Sequence, residues 1–148
     1  MVSRYFALVL GIVFLLVGVM GFVPAFVTAP ADMHGVTVHA NHGYLLGIFP
    51  VNLLHNLVHV LFGIWGIAAY GMGFDASKVY ARSVAVIYAL FAIMGLIPHL
   101  DTVFGLIPIH GNDIWLHALI AVAAGYFGWA TVREPTVGTE TTTTGDYT

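Results

Sequence analysis

Histidine is the residue type whose number and spacing in this chain suggest chemistry: the sequence carries eight, and no cysteine. The lack of cysteine excludes disulfides, iron–sulfur clusters, thiolate zinc sites and thiol redox chemistry. Imidazole remains, and it suits zinc, copper, iron or nickel, an axial position on haem, or the magnesium of a chlorophyll. His55 and His59 are four residues apart, which on a helix puts both on one face. That face continues through Gly63 and Gly66, residues small enough to let helices approach closely in lipid. His99 extends the stripe of Ala85, Ala89 and Ala92, and His117 begins that of Ala121, Ala124 and Gly128. His55, His59, His99 and His117 are therefore the candidate metal- or cofactor-binding residues.

Other polar groups stand close to these in sequence. Asn52, Asn56, Asp101, Asn112 and Asp113 can orient imidazoles from behind or cap helix ends, and the acids Asp101, Asp113 and Asp32 could instead complete a metal shell. For Asn52, Asn112 and Asp113, which follow Pro50 and Pro108, capping is the expected role. His34, His39, His42 and His110 are expected to be peripheral, in loops. A second reading competes: His55, His59 and His117 would only hydrogen-bond across helices with Asn56 and the loop backbone, fastening the bundle. Sequence alone leaves both open. Catalytic patterns are missing. The His55–His59 pair has Asn56 where a zincin helix needs its glutamate base, and there is no Gly-x-Ser-x-Gly or phosphate loop. A catalytic role is thus expected less than a binding one.

Elements buried in lipid must position these groups. The chain is 59% hydrophobic and 7% charged, against about a quarter charged in a soluble domain. Stretches at about 5–27, 51–72, 82–98 and 113–132 reach the roughly 20 residues that cross a hydrocarbon core. The first is too long for the apolar part of a signal peptide and is expected to be retained. Arg4, Lys78, Arg82 and Arg133 flank the spans on one side, whereas 28–50 and 99–113 hold no Lys or Arg. The positive-inside rule then predicts cytoplasmic N- and C-termini, with every histidine on the outer side. The membrane expected is the bacterial inner (cytoplasmic) membrane or an internal membrane derived from it. No acid or base falls in mid-span, which disfavours a proton relay. A net charge of −3 leaves no footprint for nucleic acid. Residues 1–132 are read as the transmembrane domain, and 133–148 as a polar cytoplasmic tail with too little apolar surface to order itself. Tyr70, Tyr80 and Trp129 are expected at the inner interface, with Tyr44 and Trp115 at the outer one.

Depth brings the candidates together. At 1.5 Å per residue, His55 and His117 lie roughly 6 Å past their helix starts and His59 roughly 12 Å. The run from Gly47 through Pro50 to His55 is echoed from Gly105 through Pro108 to His117. This suggests a parallel repeat of two hairpins about an axis along the membrane normal.

The segments Phe49-Pro50-Val51-Asn52-Leu53-Leu54-His55-Asn56-Leu57-Val58-His59, Tyr80-Ala81-Arg82 and Gly111-Asn112-Asp113-Ile114-Trp115-Leu116-His117 resemble a bacterial membrane family catalogued as domain of unknown function 4383. The resemblance covers roughly residues 4 to 132. It implies a four-helix membrane protein and brings no established activity.

The expected fold is an all-α, up-down bundle of four transmembrane helices. The expected function is that of a small accessory protein binding a transition metal (zinc, copper or iron), haem or chlorophyll. The alternative is a non-catalytic subunit of a larger respiratory or photosynthetic complex. Expected partners are the lipid bilayer and other membrane subunits, or further copies of the chain.

Overall fold

The structure is a computed structural model that describes residues 1–30 and 34–131. In lipid a helix gains little from turning large aliphatic side chains inward, and gains close packing from small ones. Helix α1 (Val2–Met20) accordingly buries Ser3, Ala7, Gly11, Phe14 and Gly18 and presents Val9 and Leu16 outward. Helix α2 (Leu53–Met72) buries His55, Asn56, His59, Gly63, Gly66 and Ala69 against it. The glycine faces meet backbone to backbone. A methyl group on Gly63 would stand 2.6 Å from the Leu15 nitrogen, and one on Gly66 would stand 2.8 Å from the Ala7 oxygen. Helix α3 (Phe74–Gly95) packs on α4 (Asn112–Gly125), which continues as a π-helical turn over Tyr126–Ala130. Tyr88 of α3 stacks on Phe14 of α1 with ring centroids 5.2 Å apart. Among the described residues, four helices are long and apolar enough to cross a membrane, the last taken to Ala130.

One end of the bundle carries Arg4, Lys78 and Arg82, the basic residues among the described ones. Arg4 donates from Nε and Nη2 to the Tyr70 carbonyl at 3.2 and 3.1 Å, and Arg82 Nε donates to the Gly128 carbonyl at 2.9 Å. Lys78 Nζ donates to the carbonyls of Phe127 and Thr131. These oxygens belong to the last turns of α2 and of the fourth helix, where carbonyls lack helical partners and the helix dipole favours cations. Ser3 Oγ also donates to the Phe127 carbonyl, at 3.1 Å, so the first turn of α1 lies beside the end of the fourth helix.

The opposite end carries the histidines beneath two connecting segments. After α1, a short 3₁₀ turn (Pro24–Phe26) leads into an antiparallel sheet of β1 (Val27–Thr28), β2 (Gly43–Leu45) and β3 (Phe49–Val51). The second segment, 96–111, is held to the first where the Thr37 amide donates to the Gly105 carbonyl at 2.8 Å. Asn52 ties both segments to α2. Its Oδ1 accepts from the His55 amide at 3.0 Å as the helix cap, and its Nδ2 donates to the carbonyls of Val38 and Leu106 at 3.2 and 2.7 Å.

Several sequence boundaries change. Helix α1 ends at Met20 rather than near residue 27, where Pro24 opens the 3₁₀ turn. Helix α3 begins at Phe74 rather than Arg82, because Ser77 and Lys78 satisfy their polar groups on helix carbonyls and need no water. It ends at Gly95, short of Pro98, whose ring disfavours helix in the residue before it. The all-helical expectation fails in the first connection, where the extended backbone pairs into the small sheet. Such pairing satisfies amides and carbonyls that would otherwise be left bare. Tyr80 is fully buried with its ring edge-on to Trp65, not at an interface. The tail 133–148, with Arg133, lies outside the described residues, as does Asp32.

Candidate metal centre

The site is assembled from the first turns of two helices. The Asn52 cap starts α2 so that His55 falls in its first turn and His59 one turn deeper. On α4, Asp113 and His117 are likewise four residues apart and share a face. Both faces turn inward: His55, Asp113 and His117 are no more than 4% exposed and His59 is 8% exposed. His55, Asp113 and His117 each offer one ligand atom, and the three atoms lie within 4.8 Å of one another. His55 Nδ1 stands 3.9 Å from Asp113 Oδ2. His55 Nδ1, Asp113 Oδ2 and His117 Nδ1 are all buried without a hydrogen-bond partner among the described residues.

That arrangement is costly for the protein by itself. A buried polar atom without a partner forfeits about 1–3 kcal/mol, and a charged one more. The surroundings offer little relief. Tyr88 presents its ring edge-on to His117 at 5.0 Å, Phe91 lies 5.9 Å from the same imidazole, and Phe14 packs edge-on to His59 at 5.4 Å. A divalent cation between the three residues would give their converging ligand atoms a partner. Metal–nitrogen and metal–oxygen bonds of about 2.0–2.2 Å need donors roughly 3.4 Å apart in a tetrahedral set. Side-chain shifts of under about 1 Å each would bring three donors to that spacing and fill three of the four positions.

The tautomers fit the same use. A ligating imidazole donates its other N–H to a carbonyl or carboxylate, which aims the free lone pair at the metal. His59 Nδ1 lies 3.1 Å from the His55 carbonyl, its acceptor, which leaves Nε2 with the lone pair. The His55 ring stacks on His59 at 4.7 Å, and the carbonyls of Pro50 and Pro108 lie against it. His59 thus packs beside the cluster of His55, Asp113 and His117 without being part of it. A cavity of about 120 Å³ adjoins the four residues.

The remaining candidates lie elsewhere. His99 is corrected: α3 ends before it, so the helical stripe never reaches it, and it sits exposed in the second segment with φ 72°. There it lines an open cleft of about 650 Å³ with His34 and Asp101. Asp101 pairs with His34 Nε2 at 3.1 Å and is not behind the buried imidazoles. The His110 ring is 4.0 Å from that of His34, His39 is exposed, and His42 Nδ1 lies 3.1 Å from the Val51 carbonyl. Asn56 is buried against Gly21 at the end of α1. The caps divide. Asn52 caps α2, but α4 has no side-chain cap: Asn112 Nδ2 donates to the Ile48 carbonyl at 3.2 Å, and Asp113 joins the donor cluster.

Asp113 as a donor was within reach of the sequence. A constant spacing of 58 residues relates Gly47 to Gly105, Pro50 to Pro108, His55 to Asp113 and His59 to His117. The glycines adopt φ of 76° and 85°, and Leu46 and Phe104 before them adopt 52° and 59°. Aligning His55 with His117, as the leucine–histidine pairs suggest, hides this register.

Residues 4–130 match a family described as Domain of unknown function (DUF4383). No curated protein and no solved structure gives a significant match.

Proposed function

Taking as premise that the chain belongs to this family of unknown function, we propose that it is a membrane protein built to hold one divalent transition metal ion within the outer half of its helix bundle. His55, Asp113 and His117 are the ligands, and His59 packs beside them. The observation that carries this reading is that three buried residues each bring a ligand atom within 4.8 Å of the others, and each also holds a buried polar atom without a hydrogen-bond partner among the described residues. Two imidazoles and a carboxylate suit zinc, iron, copper or nickel. Haem and chlorophyll fit less well, since about 120 Å³ beside the donors is below the roughly 300–1,000 Å³ of ordinary small-molecule sites. His55 and His59 on α2, and Asp113 and His117 on α4, are each four residues apart on a helix entered through a proline, and the constant spacing supports two repeated hairpins with the metal on their axis.

The orientation follows from the charges. Arg4, Lys78 and Arg82 bind carbonyls at one end of the bundle, and the histidines occupy the other. With the basic end cytoplasmic, both termini are inside, the helices run up and down, and the metal faces outward in a cytoplasmic membrane or one derived from it. The role is that of a metal-holding accessory protein.

Elemental analysis and an absorption spectrum of the detergent-purified protein test the proposal. One equivalent of transition metal, with no porphyrin or chlorophyll band, is expected. A protein that contains no metal and takes none up when it is offered contradicts it. That outcome would leave the histidines as ties between helices in a structural subunit.

A further inference from the structure

The cavity beside the donors has a definite direction. At the basic end, α1 and the fourth helix are closed together by the Ser3 hydrogen bond and by Phe6 stacked on Phe127 at 4.5 Å. At the histidine end a cavity is lined by residues of both helices and of the β2–β3 hairpin. Val17 and Met20 of α1 form one wall, Leu116 of α4 the other, and Leu46 of the β2–β3 turn lies above. Leu46 and Leu116 are 58% and 36% exposed on the outer surface of the bundle, which in a membrane is the surface that lipid wets. Apart from the donor residues themselves, the walls are apolar.

Size and chemistry restrict what can use such a space. An apolar cavity of about 150 Å³ holds benzene or xenon, and a water molecule takes about 30 Å³. The 120 Å³ here admits only a few heavy atoms. A charged or strongly polar molecule would shed its hydration along these walls and find no partner before the metal. An uncharged molecule that already partitions into lipid sheds nothing.

Resting on the metal site argued above, we propose that the ion keeps an open coordination position facing this cavity. A small uncharged molecule dissolved in the bilayer, of diatomic size, reaches the ion sideways between α1 and α4. It binds by donating a lone pair to the metal and displacing water, and the step requires no external oxidant or reductant.

Nitric oxide bound to ferrous iron is the probe. The full chain in lipid nanodiscs is loaded anaerobically with one equivalent of Fe²⁺, its iron content is measured, and nitric oxide is added. The expected result is the half-integer-spin resonance of a ferrous nitrosyl, one per bound iron. Val17→Trp and, independently, Met20→Trp fill the cavity from a helix that carries no ligand, and each is expected to slow nitrosyl formation about tenfold per bound iron. Iron bound without a nitrosyl signal overturns the open position and leaves the metal site standing. A nitrosyl rate unchanged in both variants overturns the sideways route. Failure to bind iron or any other divalent transition metal overturns the site itself, and this inference with it.

Discussion

His55 Nδ1 and Asp113 Oδ2 face each other at 3.9 Å in the interior of the bundle, too far apart for a hydrogen bond and close enough to share a cation. They come from the first turns of different helices, each entered through a proline segment. A pair serving only to fasten helices would close to about 2.8 Å. His117, four residues beyond Asp113 on the same helix face, brings a third ligand atom within 4.8 Å of theirs.

Asp113→Asn separates the two roles. The substitution keeps the shape and removes the carboxylate, so divalent-metal affinity is expected to fall about 100-fold or more. The metal-free protein, relieved of a buried carboxylate oxygen without a partner, is expected to gain about 1 kcal/mol or more. Metal titration and thermal unfolding after chelation measure both. A tether would instead lose stability.

Asn52 holds α2, the first segment and the second segment at one point. Asn52→Ala removes a cap worth about 1 kcal/mol and leaves two inner carbonyls without their donor. A loss of about 2–4 kcal/mol in detergent unfolding is expected, with weaker metal binding because His55 is no longer fixed. Asn52→Asp keeps the cap acceptor and loses both donations, so its effect on stability should be intermediate.

The α1–α2 contact depends on missing side chains. At Gly63 even an alanine methyl would press on the Leu15 backbone, and separating the helices is expected to cost about 1–3 kcal/mol. At Gly71, in the last turn of the same helix, a methyl meets nothing within 4 Å. Gly71→Ala is therefore expected to be neutral or to add about 0.5–1 kcal/mol through helix propensity. Denaturant midpoints of the two variants check the contrast.

Orientation can be read chemically because the chain has no cysteine of its own. Thr37→Cys lies in the exposed first segment at the histidine end, and Gly71→Cys near the basic end. A membrane-impermeant thiol reagent applied to intact cells is expected to label the first and not the second. The reverse pattern would invert the orientation.

Much of this was legible in the residues. Charge scarcity and four apolar runs implied the helices, and the small residues Ala7, Gly11, Gly63 and Gly66 marked the faces that pack. His55, His59 and His117 were readable because helical spacing fixed their faces. His99 was misread because the stripe through Ala92 was carried past Gly95, where the helix stops; a hydropathy run does not reveal that end. For Asp113 the expectation favoured a cap over a place in a metal shell, because an acid at a helix start usually is a cap. Its place beside His55 and His117 depends on α4 meeting α2 at one depth, a tertiary fact. The small sheet was hidden by residues 43–51 being apolar without a clean alternation. Its pairing answers backbone needs that side chains do not advertise.

X-ray absorption at the edge of the bound metal tests the central claim most directly. The expected spectrum has a first shell of nitrogen and oxygen at about 2.0–2.2 Å, with the outer scattering of imidazole rings, which weakens in His117→Gln. A bound metal whose spectrum lacks imidazole scattering, or one that His117→Gln leaves unchanged, would contradict it.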